Sequence, residues 1–225
     1  MPQLQGLIFD LDGTLIDSAP DMRQALNAML KENGRQGLGL EEVKSMVGDG
    51  MMPLIDRAYA ATGGPPPAYN SYGSFQTFIG HYRALKPDPS QIYPKVRETL
   101  EMYRTAGIRL GVCTNKQEAA TIKLMDDLDL KKYFAFIAGG DTFTVHKPHP
   151  GHVTGVIERL GVPLANCAMV GDGVNDVSAA RGAGVPCVVV MHGYGGDFDA
   201  LGADKLIKGF EELPGALEEL GFKIG

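Results

Sequence analysis

Near the N-terminus the chain contains the segment Gln5-Gly6-Leu7-Ile8-Phe9-Asp10-Leu11-Asp12, an apolar run that ends at two carboxylates. A continuous apolar run of this kind is typical of a strand that is buried on both faces of a parallel sheet. Four later segments have the same character, and they cover residues 108–113, 134–138, 167–171 and 185–190. Helical patterns over 94–106, 117–130, 150–160 and 174–183 separate them. This alternation predicts an α/β fold with a parallel sheet covered by helices on both faces.

One block interrupts the alternation, because residues 18–86 carry helical patterns only. Its apolar residues recur at helical spacing, in the groups Leu26, Met29 and Leu30; Val43, Met46 and Val47; Leu54, Ile55, Ala58 and Tyr59; and Phe75, Phe78, Ile79 and Tyr82. A block of about 70 residues is too long for a crossover between two strands. We therefore predict an inserted helical cap over residues 18–89 and a discontinuous α/β core over residues 1–17 and 90–225. The two ends of the insertion are candidate hinges.

Composition restricts the class of protein further. Hydrophobic residues make up 44% of the 225 residues, which excludes a disordered chain. A net charge of −6 without a Lys/Arg cluster argues against nucleic-acid binding. No apolar run of roughly 18 residues is present to span a membrane, and the N-terminus lacks the features of a secretion signal. Because the three cysteines lie in or beside apolar runs, we expect buried thiols in a reducing cytoplasm. We expect no nucleic-acid or membrane partner, and a monomer or homodimer.

Polar residues of a restricted kind follow three of the predicted strands. They are Asp10-Leu11-Asp12-Gly13-Thr14 after the first strand, Thr114-Asn115 after the second, and Gly171-Asp172-Gly173-Val174-Asn175-Asp176 after the fourth. His146-Lys147-Pro148 comes shortly after the third strand. We expect Lys147 to be the only lysine in the loops of this sheet edge. Because ligands bind at the carboxyl ends of parallel strands, these residues are predicted to converge.

Such a set of residues suits the transfer of a phosphoryl group, whose negative charge must be positioned and neutralised. Several carboxylates are useful there once Mg²⁺ lies among them, since this ion prefers oxygen ligands. Lys147 adds positive charge, and Thr114 and Asn115 add hydrogen-bond donors. Asp10 is then the candidate nucleophile, forming an aspartyl-phosphate that water hydrolyses. Asp12 is the candidate acid and base for the leaving oxygen and for that water.

Each motif also has a purely structural interpretation. Asp12-Gly13 is typical of a turn, Thr114-Asn115 of a helix N-cap, and an isolated Lys147 of a solvated surface. The joint occurrence of all the motifs, in order and at strand ends, favours the chemical interpretation. His146, His149 and His152 lie three residues apart and raise the alternative of zinc, but the prolines between them prevent one regular helix from presenting all three. Neither a Walker-type phosphate loop nor a dinucleotide fingerprint is present.

The motifs together resemble those of the haloacid dehalogenase superfamily. They are Asp10-Leu11-Asp12-Gly13-Thr14, Thr114, Lys147, and Gly171-Asp172 with Asp176. The resemblance covers almost the whole chain and implies a Rossmann-like core with a helical cap inserted after the first motif. It implies Asp10 as nucleophile, Asp12 as acid and base, and Thr114 and Lys147 on the phosphate. It also implies a Mg²⁺ site formed by Asp10, the Asp12 backbone carbonyl, Asp172 and Asp176, the last as a ligand or as a partner of one.

Within the superfamily, Asp12 favours phosphate esters, because the dehalogenases and phosphonate hydrolases carry a non-acidic residue there. The segments around Asp10, Val47-Gly48-Asp49-Gly50, Cys113-Thr114-Asn115-Lys116, Lys147-Pro148-His149-Pro150 and Gly193-Tyr194-Gly195 look most like those of phosphoglycolate phosphatases. The resemblance therefore implies a Mg²⁺-dependent phosphatase of a small phosphorylated metabolite, with 2-phosphoglycolate as the leading candidate substrate. Substrate binding is assigned to Thr114, Asn115 and Lys147, and in the cap to Gly48, Asp49 and Gly50. The alternatives are a phosphosugar phosphatase or β-phosphoglucomutase-like enzyme and, more remotely, a non-catalytic binding protein.

Overall fold

The structure is a computed structural model that describes residues 2–67 and 69–224. Within these residues the strands are β1 Gly6–Phe9, β2 Arg109–Cys113, β3 Phe136–Ala138, β4 Cys167–Gly171, β5 Cys187–Val190 and β6 Lys205–Ile207. They form one parallel sheet in the order β3-β2-β1-β4-β5-β6. This architecture confirms the predicted α/β class.

Helices lie between the first five strands, as the sequence pattern predicts, and one further helix follows the last strand. They are α1 Ala19–Glu32, α2 Leu40–Lys44, α3 Met51–Ala61, α4 Ser71–Ala84, α5 Val96–Thr105, α6 Glu118–Asp127, α7 Pro150–Leu160, α8 Val174–Ala183 and α9 Leu213–Glu219. None of the helices in the described residues combines the length and the apolar character that crossing a membrane requires.

The central strand β1 shows why an unbroken apolar run forms a strand here. Its side chains alternate between two hydrophobic cores, because successive residues of a strand point to opposite faces. Leu7 and Phe9 are fully buried in one core, and Ile8 is fully buried in the other. Both faces of the sheet are therefore covered, and a strand in this position needs apolar residues at every place.

The chain divides into two compact units. One contains the chain up to Asp17 and from Pro89 onward, and the other is Ser18–Asp88. The first unit contains the whole sheet, and the second contains α1 to α4. The helical unit has its own buried interior, to which the apolar residues at helical spacing contribute, among them Leu26, Leu54, Tyr59 and Phe78.

The structure differs from the sequence prediction in two elements that the sequence pattern did not indicate, the strand β6 and the helix α9. β6 has three residues, too few to show a periodic pattern, and it forms because Lys205–Ile207 pairs with β5. Boundaries also differ: α5 begins at Val96 instead of residue 94, because Lys95 has a φ angle of 65° in the left-handed region and cannot continue a helix.

The strand order determines where a ligand site can form. β1 pairs with β2 on one side and with β4 on the other, and the later strands extend the sheet in opposite directions from this point. In open parallel sheets such a reversal leaves a crevice at the carboxyl ends of the two central strands. The residues that follow β1 and β4 lie at this crevice.

Candidate active site

Three carboxylates meet at the carboxyl ends of β1 and β4. Asp10 follows β1, Asp172 follows β4, and Asp176 lies in the first turn of α8. One oxygen of each lies within 4.8 Å of one oxygen of the others. Among the described residues, this is the only group of three acidic, histidine or cysteine side chains arranged to hold a metal ion.

Lys147 neutralises part of this charge. Its side chain is 2% exposed, and its ammonium nitrogen lies 2.9 Å from Asp10 Oδ1 and 2.6 Å from Asp176 Oδ1. The contact with Asp176 is a hydrogen bond, and the contact with Asp10 is an ion pair. The interpretation of Lys147 as a solvated surface lysine is therefore wrong.

The Asp172 carboxylate is held from two sides. Thr14 Oγ1 donates to its Oδ1 over 3.2 Å, and the backbone N–H of Tyr194 donates to its Oδ2 over 2.6 Å. Gly13, with a φ angle of 84°, lies against the same carboxylate, and a Cβ at residue 13 would overlap Asp172 Oδ2. Residues of two loops, one after β1 and one after β5, thus fix the orientation of this side chain.

Both carboxylate oxygens of Asp176 accept hydrogen bonds. Its Oδ2 accepts hydrogen bonds from the backbone N–H groups of Asp172, over 3.1 Å, and Gly173, over 3.0 Å, while its Oδ1 faces Lys147. The Asp176 side chain also occupies the space in which a Cβ of residue 171 would lie, which explains the glycine there. Asp176 therefore orients Lys147 and the turn between β4 and α8.

Burial and mutual repulsion raise the proton affinity of these carboxylates. Burial, the largest influence, raises the pKa of Asp10 from 3.8 to about 6; Lys147 opposes this shift and Asp176 adds to it. Burial, followed by the charges of Asp176 and Asp10, raises the pKa of Asp172 well above its ordinary value. For Lys147, burial lowers the pKa, but Asp10 and Asp176 outweigh burial and raise it above its ordinary value.

A divalent cation fits this cluster. Three buried carboxylates face one buried ammonium group, so carboxylates outnumber the positive charge in the cluster. Burial and then this repulsion raise the pKa of Asp172. Oxygen donors are the ligands that hard divalent cations take. Asp10 and Asp172 are the ligands that the contacts favour, since both oxygens of Asp176 already serve Lys147 and two N–H groups.

Asp12 has a different partner, Lys116. The Lys116 ammonium nitrogen lies 3.0 Å from Asp12 Oδ1 and 3.1 Å from Asp12 Oδ2. The side chains are 1% and 10% exposed, respectively. The expectation that Lys147 is the only lysine in the loops of this edge is therefore wrong, because Lys116 follows β2 and also turns inward.

Thr114 and Asn115 lie between β2 and α6 and cap no helix. The N-cap of α6 is Gln117, which excludes the helix-cap interpretation of the pair. The Thr114 hydroxyl accepts the backbone N–H of Lys116 over 3.3 Å, and Asn115 Nδ2 donates to the carbonyl of Lys147 over 2.9 Å. Asn115 thereby connects the loop after β2 to the backbone of Lys147.

Gly48, Asp49 and Gly50 lie in the helical unit, just before α3. The Asp49 carboxylate pairs with Arg57, which also donates to the carbonyl of Met46 over 2.7 Å. Arg57 therefore holds this loop within its own unit. Substrate binding by the loop stays a prediction.

Each of the three histidines has a hydrogen bond to the backbone. His146 Nδ1 donates to the carbonyl of Lys147 over 3.0 Å. His149 Nδ1 accepts the N–H of Gly151 at the start of α7, over 3.0 Å. His152 is fully buried, and its Nδ1 accepts the N–H of Lys147 over 3.2 Å. The described residues contain no metal-ion group that includes a histidine, so the zinc alternative has no support.

His152 makes stability depend on pH. Burial, with a smaller effect of Lys147, lowers the pKa of His152 from 6.5 to about 4. Between these values the unfolded chain takes up a proton that the folded protein does not, so stability falls as the pH falls. We expect this residue to lower the free energy of unfolding by about 2 kcal/mol between pH 7 and pH 5.

Denaturant unfolding at the two pH values tests this prediction. Between pH 7 and pH 5 the free energy of unfolding of H152N should fall by about 2 kcal/mol less than that of the wild type. The control H149N, altered at an exposed histidine, should match the wild type. Equal losses in H152N and the wild type would contradict it.

Comparison with known proteins agrees with this geometry. The family model described as haloacid dehalogenase-like hydrolase matches residues 7–190, which include Asp10, Asp12, Thr114, Lys147, Asp172 and Asp176. The chain belongs to this family. The family match confirms the resemblance that the motifs imply.

Relatives of this hydrolase specify the enzyme class. A phosphoglycolate phosphatase of Agrobacterium fabrum is 42% identical over 187 residues, 83% of this chain and 80% of that protein. A phosphoglycolate phosphatase of Caulobacter vibrioides is 39% identical over 211 residues, 93% of this chain and 89% of that protein. The crystal structure of a predicted phosphoglycolate phosphatase from Haemophilus somnus has a TM-score of 0.90 at 27% identity, and the match covers 96% of this chain and 99% of that chain. These relatives confirm that the hydrolase is a phosphatase.

Three residues contribute to the site although sequence reasoning gave them no role in it. Lys116 directly follows Thr114-Asn115, Thr14 ends the first motif, and Tyr194 lies between two glycines after β5. The available signal was that all three lie within the segments that carry the family resemblance. Their contacts with Asp12 and Asp172 depend on how the loops fold against one another.

Proposed function

We propose that this phosphatase hydrolyses small phosphate monoesters with the help of Mg²⁺, and that 2-phosphoglycolate, converted to glycolate and phosphate, is its principal substrate. The observation that carries the chemistry is the buried cluster of Asp10, Asp172 and Asp176 with Lys147 between two of them. The names of the relatives at about 40% identity support the choice of 2-phosphoglycolate.

Mg²⁺ is proposed because its preferred ligands are oxygens and because it commonly accompanies phosphoryl groups. Asp10 and Asp172 would hold the ion. When bound, it would neutralise charge on the phosphoryl oxygens during transfer.

In the first step, an oxygen of Asp10 attacks phosphorus, and the bond between phosphorus and the ester oxygen breaks. Asp12 gives its proton to the departing oxygen, so that glycolate leaves and the phosphoryl group stays on Asp10. Lys147 faces Asp10 and supplies positive charge for the phosphoryl oxygens. The Thr114 hydroxyl and the amide of Asn115 are proposed as hydrogen-bond donors to the same group.

In the second step, water attacks the phosphorus of the aspartyl-phosphate. Asp12, now a carboxylate, takes a proton from that water. The bond between phosphorus and the Asp10 oxygen breaks, which releases phosphate and restores the Asp10 carboxylate. The proton taken from water leaves Asp12 in its acid form for the next cycle.

Phosphate release from a panel of substrates tests this proposal. The panel contains 2-phosphoglycolate, sugar phosphates, nucleotides, pyrophosphate and p-nitrophenyl phosphate, each with Mg²⁺ and with EDTA. We expect Mg²⁺-dependent release with a clear preference for 2-phosphoglycolate, and EDTA should abolish it. In parallel, Mg²⁺ alone should raise the melting temperature of the wild type but not that of D172N, because an ion that binds only the folded state stabilises it.

The other outcomes are informative in different ways. A preference for another ester would retain the mechanism and contradict the substrate. Isomerised sugar phosphate without net release of phosphate would favour a mutase. Absence of release from every substrate would contradict the proposed function as a whole.

Asp12→Ala tests the role of Asp12 as an acid. General acid catalysis contributes about 10²- to 10⁴-fold, and an alkyl leaving group such as glycolate needs that proton more than p-nitrophenolate does. We therefore expect kcat/KM to fall by about 10²-fold or more for 2-phosphoglycolate and much less for p-nitrophenyl phosphate. Equal losses on both substrates would contradict an acid role.

A further inference from the structure

Lys116 is a buried lysine to which the mechanism above gives no role. Its side chain is 1% exposed, and its ammonium nitrogen contacts both oxygens of Asp12, over 3.0 and 3.1 Å. The site thus contains two buried lysines on two different carboxylates. Lys147 lies at Asp10, the proposed nucleophile, and Lys116 lies at Asp12, the proposed acid.

The position of Lys116 relates it to the leaving group. To protonate the ester oxygen, Asp12 must lie within about 3 Å of it, and the Lys116 ammonium lies 3.0 Å from the same carboxylate. The part of the substrate next to the ester oxygen is therefore also next to this positive charge. In 2-phosphoglycolate that part is a carboxylate, separated from the ester oxygen by one methylene group.

We infer that Lys116 determines specificity by binding a carboxylate of the leaving group next to the ester oxygen. The inference rests on the proposed function and adds a recognition element to it. An ammonium group carries three N–H donors, so contact with Asp12 is compatible with contact with a second carboxylate. Lys147 cannot take this role, because its ammonium lies between Asp10 and Asp176 at the phosphoryl end.

The enclosure of the site makes this contact selective. Asp10 is 13% exposed and Lys147 is 2% exposed, so Lys116 shares the low exposure of its surroundings. Contacts between opposite charges are stronger there than in bulk water, because the effective dielectric constant is lower. Hydrogen bonds to charged groups correspond to a factor of roughly 10 to 100 in binding, which sets the size of the expected preference.

Two esters of equal length separate the two contacts of Lys116. They are 2-phosphoglycolate and 2-hydroxyethyl phosphate, in which a CH₂OH group replaces the carboxylate. Any effect of Lys116 through Asp12 changes both esters, whereas an effect through the substrate carboxylate changes only the first. Steady-state kcat and KM are measured with Mg²⁺ for the wild type, K116M, K116Q and K116R, together with the melting temperature of each protein. K123M, altered at an exposed lysine of α6 that pairs with Asp127, is the matched control.

We expect the wild type and K123M to prefer 2-phosphoglycolate. In K116M and K116Q the ratio of kcat/KM values for the two esters should fall roughly 10- to 100-fold, mainly through a higher KM for 2-phosphoglycolate. K116R, which keeps the positive charge, should retain part of the preference. K116Q can still donate a hydrogen bond to Asp12, so it provides the test if K116M does not fold.

Several results would overturn the inference. If K116Q or K116M lowered both esters by the same factor, Lys116 would act only by positioning Asp12. If the wild type hydrolysed both esters equally well, the phosphatase activity would stand and recognition of a carboxylate would fail. If the wild type hydrolysed neither ester, the proposed function would fail and the inference with it.

Discussion

Asp10→Asn is expected to abolish turnover and to leave the fold intact. An amide cannot form the aspartyl-phosphate, so phosphate release from 2-phosphoglycolate should fall by a factor of roughly 10⁴ to 10⁶, as when other enzymes lose their nucleophile. Stability should change little, because the side chains of asparagine and aspartate have nearly the same shape. Burial raises the pKa of Asp10 from 3.8 to about 6, so ionisation of this side chain is less favourable in the folded protein than in the unfolded chain, and the neutral amide removes that penalty.

The measurement combines phosphate release with thermal unfolding. We expect D10N to have a melting temperature equal to or above that of the wild type, which shows that lost activity reflects lost chemistry. Incubation with 2-phosphoglycolate should leave no phosphoryl group on D10N in a mass spectrum of the intact protein. Activity above a few per cent of the wild-type value would exclude Asp10 as the nucleophile.

Lys147→Met is expected to reduce both activity and stability. The Lys147 ammonium is buried against Asp10 and Asp176, and its removal leaves carboxylates in the site without their counter-charge. Removing one member of a buried ion pair lowers the free energy of unfolding by roughly 3 to 5 kcal/mol. Positive charge on a transferring phosphoryl group is worth roughly 10³- to 10⁵-fold in rate, so activity should fall by at least about 10³-fold.

Denaturant unfolding without added metal and phosphate release with Mg²⁺ give the two quantities. K123M removes an exposed lysine paired within one helix and should change the unfolding free energy by no more than about 0.5 kcal/mol and leave activity unchanged. The stability loss in K147M should also be smaller with Mg²⁺, because the ion offsets the same carboxylates. A K147M protein as stable as the wild type, with more than a tenth of its activity, would contradict the account of this site.

The sheet and its main carboxylates were predictable because they depend on local features of the chain. Each buried strand is an apolar run, and Asp10 and Asp172 directly follow two such runs. Parallel strands bring their carboxyl ends to one edge, so the two residues could be predicted to lie close together despite their separation in sequence. β6 was not predictable in this way, because Lys205–Ile207 becomes a strand only by pairing with β5.

The amino-acid sequence alone thus determined the fold class, the family and the identity of the carboxylates proposed to react. Only the tertiary structure decided which charged groups meet. Lys116 and Asp12 are 104 positions apart, and Lys147 and Asp176 are 29 apart. Nothing in the pattern shows that Lys116 turns inward, because the direction of a long side chain in a loop depends on the elements packed around it. The physical reason is that a buried lysine is stable only where a carboxylate from elsewhere in the chain has been brought to it, and the packing of the whole sheet determines that position.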